Sequence, residues 1–236
     1  MRLPIFIITF MSGLALVSGC HDIGGRDASY HPRIASENFA DNVTNPYFPL
    51  VPGTLLKYIE KDRDGMSENE FAVTSDTKLI LGVRCVVAHI SVQKNDRVAE
   101  DTYEWFAQDK EGAVWCFGNA TREISAGGKV STEGSWQAGV NGALPGVFMP
   151  ADPKPGPSYR QEYAPGTAED MAEVVGIHES VTVPAGKFDD CVNARVWSML
   201  ELGGENKWYA RGIGFVRSVS SAGEIAELVS VTRPSR

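Results

Sequence analysis

Helical periodicity is missing from this chain: no long segment repeats its apolar residues at every third or fourth position, so no extended amphipathic helix is expected. That argues against helical bundles and alternating α/β architectures. Catalytic signatures are missing as well. There is no G-x-S-x-G serine elbow, no Walker loop, no dinucleotide fingerprint and no H-E-x-x-H, so the common hydrolase, nucleotide-binding and zinc-protease chemistries find no support. Basic clusters are missing: the 22 Lys and Arg form no run and are outweighed by 30 Asp and Glu, for a formal net charge of −8. Nucleic acid is therefore no expected partner, because phosphate binding needs concentrated positive charge. Cysteine is scarce, at four residues, and none stands in the close pairs that metal sites use. No metal and no cofactor are expected.

One apolar run is present. Met1 and Arg2 carry positive charge, Leu3 to Val17 are mostly apolar, and Val17-Ser18-Gly19-Cys20 follows. The run is too short for a spanning helix, which needs about 20 apolar residues. The order of charge, apolar stretch, small residues and cysteine is that of a secretory leader, and the last four residues resemble the bacterial lipobox. That resemblance implies a signal peptide at residues 1–19, with Cys20 diacylated on sulfur and acylated on its new amine. The chain would then be tethered to a membrane through lipid without crossing it. His21 stands where an aspartate marks inner-membrane retention, which leans toward an outer-membrane location on the periplasmic face or the surface.

Residues 20–44 are polar, contain Gly24, Gly25 and Pro32, and show neither period; they read as a flexible tether. Residues 45–236 read as one domain with enough chain for a real core. Its pattern is alternation broken by turns. Thr54–Glu60, Glu70–Thr74, Arg84–Val92, Thr102–Gln108, Val114–Phe117, Tyr159–Tyr163, Glu173–Val183, Cys191–Leu200, Asn206–Ala210, Phe215–Ser220 and Glu224–Thr232 are the expected strands. The fold class is mainly β, an antiparallel sheet curved into a barrel or half-barrel, with a β-sandwich as the alternative. Trp105, Trp115, Trp197, Trp208 and Tyr209 are expected to fill much of the core.

Residues 134–157 break the rhythm. They are dense in glycine and proline yet hold Trp136, Leu144, Val147, Phe148 and Met149. Such a loop is expected to be ordered, either as a crossover plugging one end of the barrel or as a lid over a ligand. In the second case Trp136, Leu144, Phe148 and Met149 would contact an apolar ligand.

Thr182-Val183-Pro184-Ala185-Gly186-Lys187-Phe188, followed by Lys207-Trp208-Tyr209-Ala210-Arg211-Gly212-Ile213-Gly214-Phe215-Val216, resembles the "VPAGxF … WYAxGIGxV" pattern of uncharacterised bacterial exported lipoproteins. Asn45-Pro46-Tyr47-Phe48-Pro49-Leu50-Val51-Pro52-Gly53-Thr54 resembles the "NPYFPLxPGT" start of a subset of them. The resemblance implies a hairpin turn at Pro-Ala-Gly and a sharp bend at the glycine pair. More distantly it implies the curved half-barrel of lipoprotein-localisation factors. It transfers no catalytic residue.

Three cysteines remain once Cys20 is lipidated. An oxidising envelope permits one disulfide, with Cys85 and Cys191 the preferred pair, or three buried thiols including Cys116. Glu162, Glu169, Asp170, Glu173, His178 and Glu179 form an acidic stretch that reads as a solvated face, with a hard-cation site or an acid/base pair as the alternatives. The functional expectations are therefore a membrane-anchored binding or scaffolding module for a lipid or other apolar molecule; an envelope enzyme using Glu162, Asp170 or His178; or a structural subunit held against another envelope protein.

Overall fold

Alternation along β1 (Leu55–Asp62) sets the pattern for the whole domain: Leu56, Tyr58 and Glu60 are buried, and the residues between them face outward. A computed structural model describes residues 30–234; the expected signal peptide, Cys20 and residues 21–29 lie outside them. The strands after β1 are β2 (Gly65–Ile80), β3 (Val83–Lys94), β4 (Arg97–Gln108), β5 (Val114–Ile124), β6 (Val130–Ser131), β7 (Trp136–Gln137), β8 (Gly146–Met149), β9 (Tyr159–Arg160), β10 (Asp170–Val183), β11 (Gly186–Ser198), β12 (Glu205–Ala210), β13 (Gly214–Ser220) and β14 (Ile225–Thr232). Strand accounts for 61% of the described residues, and the only helix among them is a 3-10 turn at Ser36–Asn38.

All strands join one antiparallel sheet in the order β6-β5-β4-β3-β2-β1-β14-β13-β12-β11-β10-β9, with β7 and β8 both added to β5. Two meanders, β1 to β5 and β10 to β14, are thus joined where β14 pairs with β1. The sheet is curved but not closed, a half-barrel. Part of the bending comes from register shifts, at Val73/Thr77 in β2 and repeatedly between Val174 and Val181 in β10, because an extra residue in one strand kinks it against its partner. The resemblance-based turns are present: Pro184-Ala185 link β10 to β11, and Gly212 and Gly214, at φ of 74° and 106°, make the bend between β12 and β13.

The aromatic core differs from the expectation. Trp105 and Tyr209 are buried, but Trp115, Trp197 and Trp208 are only half-buried. Phenylalanines take the centre instead. The Phe48 ring lies 5.2 Å from Phe106, 4.5 Å from Phe148 and 6.1 Å from Phe71. The reason is polarity: Trp208 turns its indole Nε1 outward to donate to Glu179 Oε2 at 2.6 Å, whereas phenylalanine has no donor to satisfy.

Residues 30–44 are the second difference. Expected as tether, they form an irregular strap on the sheet. Tyr30 donates its hydroxyl to the Pro145 carbonyl at 2.7 Å, Phe39 packs edge-on against Phe117 at 5.6 Å, and Val43 is buried. Gln108 Oε1 accepts from the Thr44 and Asn45 amides, each at 2.7 Å. The strap follows neither period because it pairs only through isolated bridges, Phe39 with Asp109 and Val43 with Leu50.

The open side of the sheet is spanned by residues 134–168. Leu144 bridges to Tyr163, and Gly146 lies so close to the Gln161 backbone that a Cβ there would strike it. Phe148 and Met149 enter the core from this segment.

Candidate functional site

The inward face of a strand holds every second residue, so its cross-strand partners form rows across the sheet. One row runs Glu100, Val92, Asn69, Tyr58, Leu228 through β4, β3, β2, β1 and β14. Another runs Ser67, Glu60, Ala226, Ser218, Lys207, Ala194 through β2, β1, β14, β13, β12 and β11. A third joins Asn119, Glu104, Ala88 and Val73. Carboxyl groups therefore stand on the core face of the sheet, in phase with Leu56, Tyr58 and Phe106.

Curvature brings these rows together. Six strand spacings separate β4 from β12 in sheet order, about 29 Å on a flat sheet. Yet Lys207 on β12 acts electrostatically on Glu104 on β4, and both act on Glu162, just past β9. The half-barrel thus encloses a polar lumen. Glu60, Glu100, Glu104, Glu162 and Asp170 are all buried there, against one buried ammonium among the described residues, Lys207, whose Nζ sits 2.9 Å from Glu205 Oε1.

Burial dominates their chemistry. It pushes Glu104 up to about 8, with Glu100 adding to the rise and Lys207 opposing it. Glu60 is likewise raised to about 8 by burial, opposed by the Asn69 Nδ2 bond to its Oε2 at 2.9 Å. Burial raises Glu100 to about 7 against the Thr102 hydroxyl, which donates to its Oε1 at 2.7 Å. Asp170 is raised to about 7 by burial, opposed by its bond to Ser198 and by Lys207. Glu162 is held well above the usual range by burial, then by Asp170 and Glu104. At neutral pH Glu60 and Glu104 are therefore mostly protonated, while Glu100 and Asp170 are about half protonated.

Several acceptors have no donor. Glu104 Oε2, Glu162 Oε2 and Asn69 Oδ1 are buried without a hydrogen-bond partner. Buried polar atoms are normally paired, because an unmet acceptor costs about 1–3 kcal/mol. Beside this polar end lies an apolar bay lined by Phe48, Leu56, Tyr58, Phe71 and Phe215, with Ile213 at its rim. Among the described residues no group of three or more His, Cys, Asp or Glu is disposed to hold a metal ion.

Two solved structures resemble the chain. One is from Bacteroides fragilis, a protein inferred to be exported and described as having a YmcC-like fold, at 18% identity over 79% of this chain and 99% of that one, with a TM-score of 0.49. The other, from Parabacteroides distasonis, is inferred to be a lipoprotein, at 15% identity over 80% of this chain and 99% of that one, with a TM-score of 0.45. No family model and no curated protein matches.

The residues singled out from sequence scatter in the structure. Glu162 and Asp170 enter the lumen. His178 does not: it is exposed, with Nδ1 3.1 Å from Asp190. Glu173 and Glu179 pair with Arg195 and Trp208, and Glu169 lies 3.8 Å from Arg160. Phe148 and Met149 are core residues, Trp136 is buried with its Nε1 unpartnered, and Leu144 is half-buried at the bridge to Tyr163. None of these four lines the apolar bay beside Tyr58 and Phe71. Cys85, Cys116 and Cys191 are free and buried, so the Cys85–Cys191 pairing is not made; Cys85 lies on β3 and Cys191 on β11, far apart in sheet order. Cys116 instead donates to Glu162 Oε1 at 3.6 Å.

Glu60, Asn69, Glu100, Glu104 and Lys207 were missed by the sequence reading. A usable sign existed: Glu60 continues the inward phase of Leu56 and Tyr58, and Lys207 shares a face with Tyr209.

Proposed function

We propose that this chain is a lipid-anchored envelope lipoprotein, held through Cys20, whose half-barrel binds a small amphipathic or apolar molecule in its lumen. The observation that carries this reading is the unfinished interior: buried carboxyl oxygens without donors stand next to an apolar bay on the same face of an open sheet. A lumen shaped only for stability would hold apolar side chains there. The outer membrane is the membrane proposed, from His21 following the cysteine.

The enzyme reading is weaker on this geometry. His178 is on the exterior, and the thiol beside Glu162, Cys116, is pushed well up by burial and so remains a poor nucleophile.

Two measurements test the proposal. Cys20→Ala is expected to move the protein from the membrane fraction to the soluble fraction; retention in the membrane would remove the anchor. Native mass spectrometry of that soluble protein, purified without detergent, is expected to show a co-purifying small molecule. If the protein is empty and also takes up no added amphiphile, the binding role fails.

A further inference from the structure

We propose that the loop between β11 and β12, residues 199–204, dips into the bilayer that holds the anchor, so that the folded domain rests on that membrane by this loop. The inference rests on the reading of Cys20 as a lipid anchor and adds the surface through which the domain meets the same membrane. It is independent of what the lumen binds.

The loop reads Met199-Leu200-Glu201-Leu202-Gly203-Gly204, and its three large apolar side chains all face water, Met199 at 58% exposure and Leu202 at 98%. Side chains so placed gain by entering hydrocarbon, and contiguous exposed apolar surface marks a contact site. Glu201, the one charge in the loop, is half-buried and acts electrostatically on Asp170, so it is turned back toward the protein while Leu202 points away. Neighbouring turns share the pattern. Antiparallel pairing puts the turns after β1, β3, β5 and β11 at one end of the strands. Met66, Val98 and Val130, just past the first three of those turns, are exposed as well. Exposed Arg63 and Arg97 are matched there by exposed Asp64 and Asp96, so the contact draws on apolar burial and needs no anionic lipid.

The point where the anchored chain joins the domain says what covers the loop. The Tyr30 ring lies 5.5 Å from the Tyr163 ring, and the Arg160 guanidinium lies 5.0 Å from the Tyr163 ring centre. Arg160 Nη1 is in turn 3.8 Å from Glu169 Oε2, and the Glu169 carbonyl accepts from the Met199 amide at 2.9 Å. Tyr30 and the loop are thus linked through a short chain of contacts. Tyr30 follows Cys20 by ten residues, a length that spans at most about 36 Å. Acyl chains on Cys20 therefore keep the loop close to the bilayer and make its insertion an intramolecular step, for which a small apolar contact is enough. The turn after β2, at the other end of the strands, also exposes Leu79, but its Leu81 side chain packs close against Gly139.

The test uses the full lipidated protein in phosphatidylcholine vesicles, with a nitroxide attached through Leu202→Cys or, at the other end of the strands, through Leu79→Cys. Cys85, Cys116 and Cys191 are buried and do not compete for the label. A water-soluble nickel chelate then reports which nitroxide has left water. At position 202 the chelate is expected to relax the nitroxide roughly tenfold less than in the soluble Cys20→Ala protein without vesicles, as for a group about 5–10 Å into the headgroup boundary. At position 79 it is expected to act equally in both. Met199→Cys, which keeps Leu202 in place, is expected to repeat the protection. A nitroxide at 202 that stays open to the chelate while the protein floats with the vesicles overturns the loop contact and leaves the anchor standing. A protein that does not float removes the anchor and the contact together. Protection at 202 that arises without vesicles and grows with protein concentration makes a second copy the occupant, and protection at 79 in place of 202 reverses the orientation; either result overturns the proposal.

Discussion

Glu104 concentrates the cost of building this interior. It is 1% exposed, one of its oxygens has no partner, and its folded-state value is raised from the ordinary 4.5 to about 8. The folded protein therefore holds a proton there that the unfolded chain releases. Stability from this group is full below about 4.5 and is lost as pH rises through about 8. Each pH unit across that window costs about 1.4 kcal/mol. Glu104→Gln, which cannot ionise, is expected to match the parent near pH 4.5 and to melt roughly 5 °C or more above it at pH 8.5, given about 2–4 °C per kcal/mol for a domain of this size. Thermal unfolding followed by circular dichroism at the two pH values checks this, and equal melting at pH 8.5 would count against a buried neutral carboxyl. Asn45 is a contrasting residue, fully used. Its Nδ2 donates to the Gly112 and Pro150 carbonyls at 2.9 and 3.1 Å, and its Oδ1 accepts from the Tyr47 and Phe48 amides. Asn45→Ala strands those backbone groups and is expected to cost roughly 1–3 kcal/mol in urea unfolding.

At the scale of elements, the segment between β7 and β10 decides how the open side of the sheet is held. Phe148 plugs the core against Phe48 and Phe106, and Gln161 Nε2 ties to the Phe148 carbonyl at 3.1 Å. Phe148→Ala is expected to cost about 3–5 kcal/mol by leaving a cavity among aromatic rings. Gly146→Ala acts differently, since its Cβ would run into the Gln161 backbone and push Glu162 out of place. It is expected to cost about 1–3 kcal/mol in stability by shifting the backbone around Glu162, whereas Phe148→Ala acts by opening a cavity. Chemical denaturation of the two variants measures these costs. The plug reading of residues 134–157 therefore describes Phe148 and Met149 better than a lid does: both are buried against protein.

At the scale of the whole molecule, the five buried carboxyls titrate in one enclosed space, and four have values raised to about 7 or 8. The domain is accordingly expected to be most stable at mildly acidic pH and to lose stability from about pH 5 to pH 8, despite its net charge of −8. Melting curves measured from pH 5 to pH 8 check this slope.

Local alternation was enough to predict an antiparallel β domain and most of its strands, because inward and outward residues alternate within a few positions of one another. Leu56 and Tyr58 announce β1 without any knowledge of β14. Turn chemistry was legible for the same reason, at Pro184-Ala185-Gly186 and at Gly212 and Gly214. The strap at residues 30–44 was not legible, since Tyr30 and Phe39, half-buried, and Val43, buried, are held by partners more than sixty residues away or by isolated bridges, with no period to betray them. Nor was the lumen. Glu60, Glu104, Glu162 and Lys207 are ordinary charged residues along the chain, and only the curl of the sheet, which carries β4 across to β12, turns them into one buried electrostatic unit.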